Sequence, residues 1–328
     1  MTHGKFLFER VPTSRRVFLA GLGIATSVGI TNGFGCNAVR ADEEDKKLSI
    51  AWDKNFLSIR GDFAGEELRI HYLEAYCRAG STDRDWGQTV IGHTTEQLPL
   101  LSGETAGKVI RLKCLLKDGV TVQHTITAGD DEISFQLVAH NPTDKPSQAD
   151  WAQPCIRVGE FTGLDRVQYV SKSFVFVDGH LMRMPLVIDG KVATPPASVT
   201  NVSRDPVIPL EKWSMKARYI PGQVWAGRGV DRNDVNPRPL SNIVLSNGLI
   251  GCYSADETMV MATAFEPYQE LFQGVAHCVH SDFRIGGLKA GETKPVRGKI
   301  YFVKSDIPAL LKRRSEEHTS ELQSHSFI

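Results

Sequence analysis

Short β-rich runs separated by turn dipeptides constrain this chain more than any other feature of its sequence. The runs are Leu48–Trp52, Phe56–Phe63, Glu67–Tyr72, Val109–Leu116, Val120–Ala128, Glu132–Ala139, Phe174–Val177, Asn242–Leu245, Leu249–Tyr253, Thr258–Phe265, Val275–Phe283 and Val296–Val303. Between them stand Asp118-Gly119, Asp178-Gly179, Asn247-Gly248 and Lys289-Ala290-Gly291-Glu292. A glycine after Asp or Asn supplies the positive φ that tight hairpins need, so these dipeptides between apolar runs predict antiparallel pairing. Three consecutive runs form a meander. Val120, Val122, His124 and Ile126 share one face of a strand, and Ile133, Phe135, Leu137 and Ala139 share one face of the next. No long segment carries helical period, and Ile307–Leu311 opens only a short helix that the tail cuts off. So many strands exceed an immunoglobulin-sized module and predict an all-β fold, a large antiparallel β-sandwich.

Both ends stand outside that fold. Ser14-Arg15-Arg16-Val17-Phe18-Leu19 has the pattern of a twin-arginine export signal, which a receptor reads as an address. Behind it, residues 17–30 are apolar and small, and the run is shorter than a spanning helix requires. Ala38-Val39-Arg40-Ala41 offers small residues on either side of an arginine as a cleavage site, and Asp42-Glu43-Glu44-Asp45 opens a polar chain. Residues 1–41 are therefore expected to be a leader, the mature protein to be periplasmic or secreted without an integral membrane segment, and the twin-arginine translocase to be its partner during export. Gly33-Phe34-Gly35 is a poor lipobox, so cleavage after Ala41 is preferred to a lipid anchor on Cys36. At the other end, residues 314–328 look like the in-frame translation of a sequencing adapter and have no apolar periodicity. His318 and His325 thereby drop out as ligands. Residues 42–313 remain as a single domain, ample for a sizeable core.

The chain balances 38 Lys and Arg against 38 Asp and Glu and has no basic tract, which leaves nucleic-acid binding without electrostatic support. Beyond the leader the cysteines are Cys77, Cys114, Cys155, Cys252 and Cys278, with no C-x-x-C pair and no zinc-ribbon spacing. An odd set leaves at least one free thiol; mostly core cysteines are expected, with one disulfide possible but not assignable. No G-x-S-x-G, H-E-x-x-H or G-x-G-x-x-G is present. Asp231, Asn233, Asp234 and Asn236 have a calcium-like look, but Val235 and the missing glycine break an EF-hand loop. No metal and no cofactor are expected.

Candidate chemistry comes from a few places. Strand period places Cys278, His280 and Asp282 on one face, with His277 and Ser281 on the other. A metal there would need His280 and Asp282 plus ligands from elsewhere, whereas on a concave sheet the same residues suit a polyol. Phe265-Glu266-Pro267-Tyr268-Gln269-Glu270 mixes carboxylates with aromatics at a strand end, where Glu266 or Glu270 would serve as a base if partly buried. His140-Asn141-Pro142 and Asp150-Trp151-Ala152-Gln153-Pro154 bracket a turn, with Trp151 as a stacking plate or a structural plug and Asn141 and Gln153 as hydrogen-bonding groups. Arg78 and Arg84 suit a sugar carboxylate or an exposed ion pair with Asp85. Pro195 to Pro239 breaks the strand pattern, and Trp213, Tyr219 and Trp225 make it either a packed excursion or the rim of a cleft.

The stretch from Asp131 to Val158, with its His140-Asn141-Pro142-Thr143-Asp144-Lys145-Pro146 turn, resembles the centre of the galactose mutarotase-like supersandwich found in aldose epimerases. The closing part is similar too, with Val279-His280-Ser281-Asp282 leading through Gly287-Leu288-Lys289-Ala290-Gly291-Glu292-Thr293 into the strand at Val296. The resemblance implies a supersandwich holding a carbohydrate on its concave face. The family's acid–base pair is a histidine after the central turn and a glutamate on a late strand; the matching positions here fall near Trp151–Gln153, without a histidine, and near His277–His280, without a glutamate. The expectation is an exported protein that binds or processes a carbohydrate. His280 and Glu266 would be its acid and base, Trp151 and Trp225 its platforms, and Gln153, Asn141, Asp282 and Arg78 its further contacts. The alternatives are an envelope-associated binding module without catalysis and a metal-dependent enzyme.

Overall fold

The computed structural model describes residues 47–80, 86–164, 169, 171–183, 186–188, 191–193, 224–231, 234, 243–274 and 277–325. The leader, Arg84, Asp85, Trp213 and Tyr219 lie outside the described residues. Along the chain, β1 (Ser49–Asp53), β2 (Phe56–Arg60) and β3 (Glu67–Arg78) precede a single helical turn α1 (Trp86–Thr89), then β4 (Val90–Ile91) and β5 (His93–Leu98). The meander is β6 (Val109–Leu116), β7 (Thr121–Ala128) and β8 (Glu132–His140), and it leads into β9 (Ala149–Arg157) and a short helix α2 (Gly159–Thr162). Next come β10 (Ser173–Val177), β11 (His180–Arg183), β12 (Leu186–Ile188) and β13 (Lys191–Ala193). The closing part holds β14 (Val224–Ala226), β15 (Ile250–Tyr253), β16 (Met259–Glu266), β17 (Tyr268–Gln273), β18 (Cys278–Arg284), β19 (Thr293–Lys304) and the helix α3 (Ile307–His325).

These strands build two large sheets, and every ladder among them is antiparallel. The first runs β1-β2-β3-β9-β18-β17-β14, with β4 beside β3; the second runs β11-β10-β15-β16-β19-β8-β7-β6-β5. The fold is a large antiparallel β-sandwich. Its core lies between the sheets, where Ile59, Ile70 and Tyr72 of the first meet Val122, Phe135 and Ile300 of the second. Each such fully buried side chain contributes about 1.5–3 kcal/mol. The alternation read in β7 and β8 holds: Val122, His124, Ile126, Ile133, Phe135, Leu137 and Ala139 are all buried.

Polar residues sit inside this core as well, His124 among them. The ring of His124 lies between Tyr72 Oη, 3.0 Å from Nδ1, and Tyr76 Oη, 2.8 Å from Nε2. One hydroxyl donates to the bare nitrogen and the other accepts from the N–H, so a neutral imidazole is fully satisfied. Burial, helped by His93, pulls its pKa down to about 3.

Several strands escape the alternation, β9, β10, β15, β16, β17 and β18 among them. The burial of β9 is continuous from Ala149 to Ile156, and β17 is buried from Gln269 to Gln273. Both have a strand on either side in the first sheet, whose outer face is covered here as well as its inner one. Double burial removes the period-two signal. The segment Asp150–Pro154, beyond the turn it borders, lies within β9, and Glu270 lies within β17 rather than at a strand end. Residues 243–245 form no strand. The helix at the end also runs beyond Leu311, to His325. Its Leu310 packs with Phe174, Phe176, Val260 and Tyr301 against the outer face of the second sheet.

Candidate functional site

The outer face of the first sheet carries the chemistry. On β18, Val279 and Phe283 point into the core, so Cys278, His280 and Asp282 point away from it. The β18–β9 pairing of Val279 with Ile156 and of Phe283 with Ala152 sets Cys155 opposite His280 and Gln153 opposite Asp282. The β17–β18 pairing sets Phe272 opposite His280 and Glu270 opposite Asp282. Three strands thus deliver thiols, an imidazole, an amide and two carboxylates to one patch. The side chains of His280 and Asp282 are each only 1% exposed, and Glu270 is fully buried.

Within the patch the imidazole of His280 is held from three sides. Phe272 packs edge-on at 4.8 Å between ring centroids. Nε2 lies 3.2 Å from Cys278 Sγ, and Nδ1 lies 3.5 Å from Asp282 Oδ1. The second distance is that of an ion pair; neither His280 Nδ1 nor either oxygen of Asp282 has a hydrogen-bond partner among the described residues. Burial holds the Asp282 carboxyl up at about 6, with the neighbouring imidazole working in the opposite sense. Burial depresses His280, but Cys155 and Asp282 together outweigh it and raise the imidazole. The Cys155 and Cys278 Sγ atoms and a ring nitrogen of His280 all lie within 4.8 Å of one another. Sequence reasoning found Cys278, His280 and Asp282 by their period but missed Cys155, because only the β9–β18 register brings it in.

Beside this buried patch the same face opens into a cleft of about 330 Å³, lined by Glu67, Arg69, Arg157, Glu160 and His277. Arg69 and Arg157 are a cross-strand pair of β3 and β9, and both guanidiniums lie over the ring of Phe56, at 4.5 and 5.9 Å. Phe56 in turn stacks on His71, 4.8 Å away. Hydrogen bonds from Arg60 and then Ser58 hold the Glu67 carboxyl below the usual range. A larger hollow of about 600 Å³, lined by Asp62, Phe63, Asp130 and Phe302 among others, lies elsewhere and touches none of the patch.

The remaining residues singled out in the sequence are placed otherwise. Glu266 ends β16 in the second sheet and accepts from Arg314 at 3.0 Å, so the carboxylate beside His280 is Asp282. Trp151 is fully buried with Ala75 and Cys77 and acts as a plug. Trp225 is equally buried in the main core, paired with Leu271. Asn141 spends its amide on Lys145 O, Leu288 O and Lys289 O and its carbonyl on Thr143, which organises the turn after β8. Arg78 ties the carbonyls of Gln88 and Val90 to the end of β3. Asp234 belongs to a knot in which Arg284 Nη1 lies 3.6 Å from it and 3.4 Å from Asp150. Burial there pushes the Asp150 carboxyl up to about 7 against the pull of Arg284. Cys77, Cys114, Cys155, Cys252 and Cys278 are all buried, and no disulfide joins any two of them.

No protein-family model matches the chain, and no curated protein matches its sequence. Among solved structures, it superposes on the Slr1438 protein from Synechocystis sp. PCC 6803 with a TM-score of 0.40 and 9% identity, over 78% of this chain and 95% of that one. A galactose mutarotase-like protein from Lactobacillus casei ATCC 334 gives a TM-score of 0.36 and 10% identity, over 78% and 99%. A galactose 1-epimerase from Lactobacillus acidophilus NCFM also gives 0.36 and 10%, over 79% and 99%. Superpositions this loose transfer no residue roles. Among the described residues, no helix is long and apolar enough to cross a membrane.

Proposed function

We propose that this chain is an exported carbohydrate-binding protein that holds an acidic sugar in the cleft on the outer face of the first sheet. The observation that carries this reading is the composition of that cleft, where Arg69 and Arg157 face a hollow of about 330 Å³ with Glu67, Glu160 and His277 around it. Its size suits one or two sugar rings. Carboxylates accept the hydroxyls of a sugar, and paired guanidiniums clasp a uronate carboxylate through charge-assisted, bidentate hydrogen bonds. Binding rather than turnover is proposed because the acid–base groups His280 and Asp282 are only 1% exposed and do not line the cleft. A general acid must come within hydrogen-bond reach of the atom it serves. The sequence pattern that resembles the mutarotase-like sandwich supports a sugar ligand, and Arg15-Arg16 supports export.

A glycan array carrying uronic-acid and neutral glycans tests the reading. Retention of uronate-bearing glycans by the wild-type protein, and their loss from Arg69→Ala and Arg157→Ala, is the expected result. Capture of no glycan, or of neutral glycans alone with both variants unaffected, contradicts it.

A further inference from the structure

We infer that Cys155, Cys278 and His280 form a binding site for one thiophilic metal ion, zinc in the first instance, with Asp282 orienting the imidazole. This inference is independent of the sugar cleft. It begins with register. Cys278 and His280 stand two apart on β18 and share a face, and Cys155 on β9 stands opposite His280. The three donor atoms lie within 4.8 Å of one another, with Cys278 Sγ and His280 Nε2 at 3.2 Å. A tetrahedral ion with bonds of about 2.0–2.3 Å sets its ligand atoms about 3.3–3.8 Å apart, so the donors need only small adjustments to close on one.

A carboxylate to orient the histidine is in place too. Metal-bound histidines pass their other N–H to a carboxylate, which fixes the tautomer and the ring plane. Here Asp282 Oδ1 lies 3.5 Å from Nδ1, and neither group has a hydrogen-bond partner among the described residues. Phe272 packs against the ring and restricts its rotation. Two sulfurs and one nitrogen favour zinc or cuprous ions over the oxygen-seeking calcium and magnesium. Three protein ligands leave a fourth position for water. On binding, each thiol gives up its proton to solvent as its sulfur bonds to the metal, so uptake releases two protons and no electrons move.

The test uses the full chain purified under reducing conditions. Elemental analysis is expected to find one zinc or copper per chain. Replacement with Co(II) is expected to give thiolate-to-cobalt charge-transfer absorption of an intensity for two thiolates. Cys155→Ser and Cys278→Ser should each lose that band, Cys252→Ser should keep it, and Asp282→Asn should weaken binding on the order of 10–100-fold. Cobalt held by the tail histidines would give no thiolate band and counts against the site. So does a Cys155–Cys278 disulfide found by mass spectrometry, or free thiols with no stoichiometric metal. Should the serine variants fail to fold, the cobalt spectrum of the wild-type protein decides alone.

Discussion

His124 shows how a single residue is tuned by where the strand period puts it. Its place on the apolar face of β7 is legible in the sequence, since it alternates with Val122 and Ile126. Its two tyrosine partners are not, because Tyr72 and Tyr76 come from the opposite sheet. The folded pKa of about 3 lies below the 6.5 of an open chain. As pH falls through 6.5 the unfolded chain takes up the proton first, so stability from His124 is whole above 6.5 and drains away toward 3. The full window is worth roughly 4–5 kcal/mol. Asp150 and Asp282, whose folded pKa values are raised, act in the opposite sense over part of that range. His71 and His93, whose pKa values burial also lowers, act in the same sense as His124, so melting curves sum all of these, whereas NMR of the imidazole isolates one. We expect the His124 ring to stay neutral from pH 8 down to pH ~4; titration near 6.5 would contradict the buried network. Gly298 makes a second residue-scale case. A Cβ there would stand 2.2 Å from the Phe265 ring, which lies across the strand. Gly298→Ala should destabilise by about 1–3 kcal/mol, read as a lower midpoint in urea.

At the scale of elements, what the sequence shows depends on how many faces of a strand are buried. β6, β7 and β8 have alternating burial, and their limits follow from pattern and turn chemistry. β9 and β17 are buried almost throughout and carry polar residues on the covered outer face, so period two fails on them. Nothing in their spacing therefore shows that Gln153, Cys155 and Glu270 share the outer face with His280 and Asp282. The pairing of His280 with Glu266 failed for a related reason: neighbours in sequence part company where the chain leaves β16 of one sheet for β17 of the other. The final helix illustrates the converse. Ile307, Leu310 and Leu311 pack on the second sheet, whereas beyond Arg314 the described contacts are polar, chiefly Glu317 with Tyr301 at 2.6 Å and Lys299 at 2.9 Å. Such partly exposed pairs contribute up to about 1 kcal/mol. A chain ending at Arg314 should stay folded, with its circular-dichroism melting curve lowered by no more than a few degrees. Loss of cooperative melting would show that residues 315–328 are integral to the sandwich.

For the whole molecule, the two sheets supply a rigid frame, and function is proposed for one face of it. A leader read by the twin-arginine route delivers proteins already folded, so thiolates on that face would take up metal in a reducing compartment before an oxidising one could pair them. Replacing Arg15 and Arg16 with lysine should leave the precursor in the cytoplasm, as followed by fractionation and immunoblotting; undiminished export would remove the arginine pair as the address. The proposal of sugar binding stands on Arg69 and Arg157, an exposed pair that no motif in the sequence marks and that only the register of β3 with β9 makes visible. Charge-assisted hydrogen bonds of this kind contribute about 1.5–3 kcal/mol, or tenfold and more in affinity. Calorimetric titration of an oligouronate into the wild-type protein and into Arg157→Ala tests that directly. We expect saturable binding that weakens by about tenfold or more in the variant; equal affinity in the two proteins, or no binding to either, would contradict it.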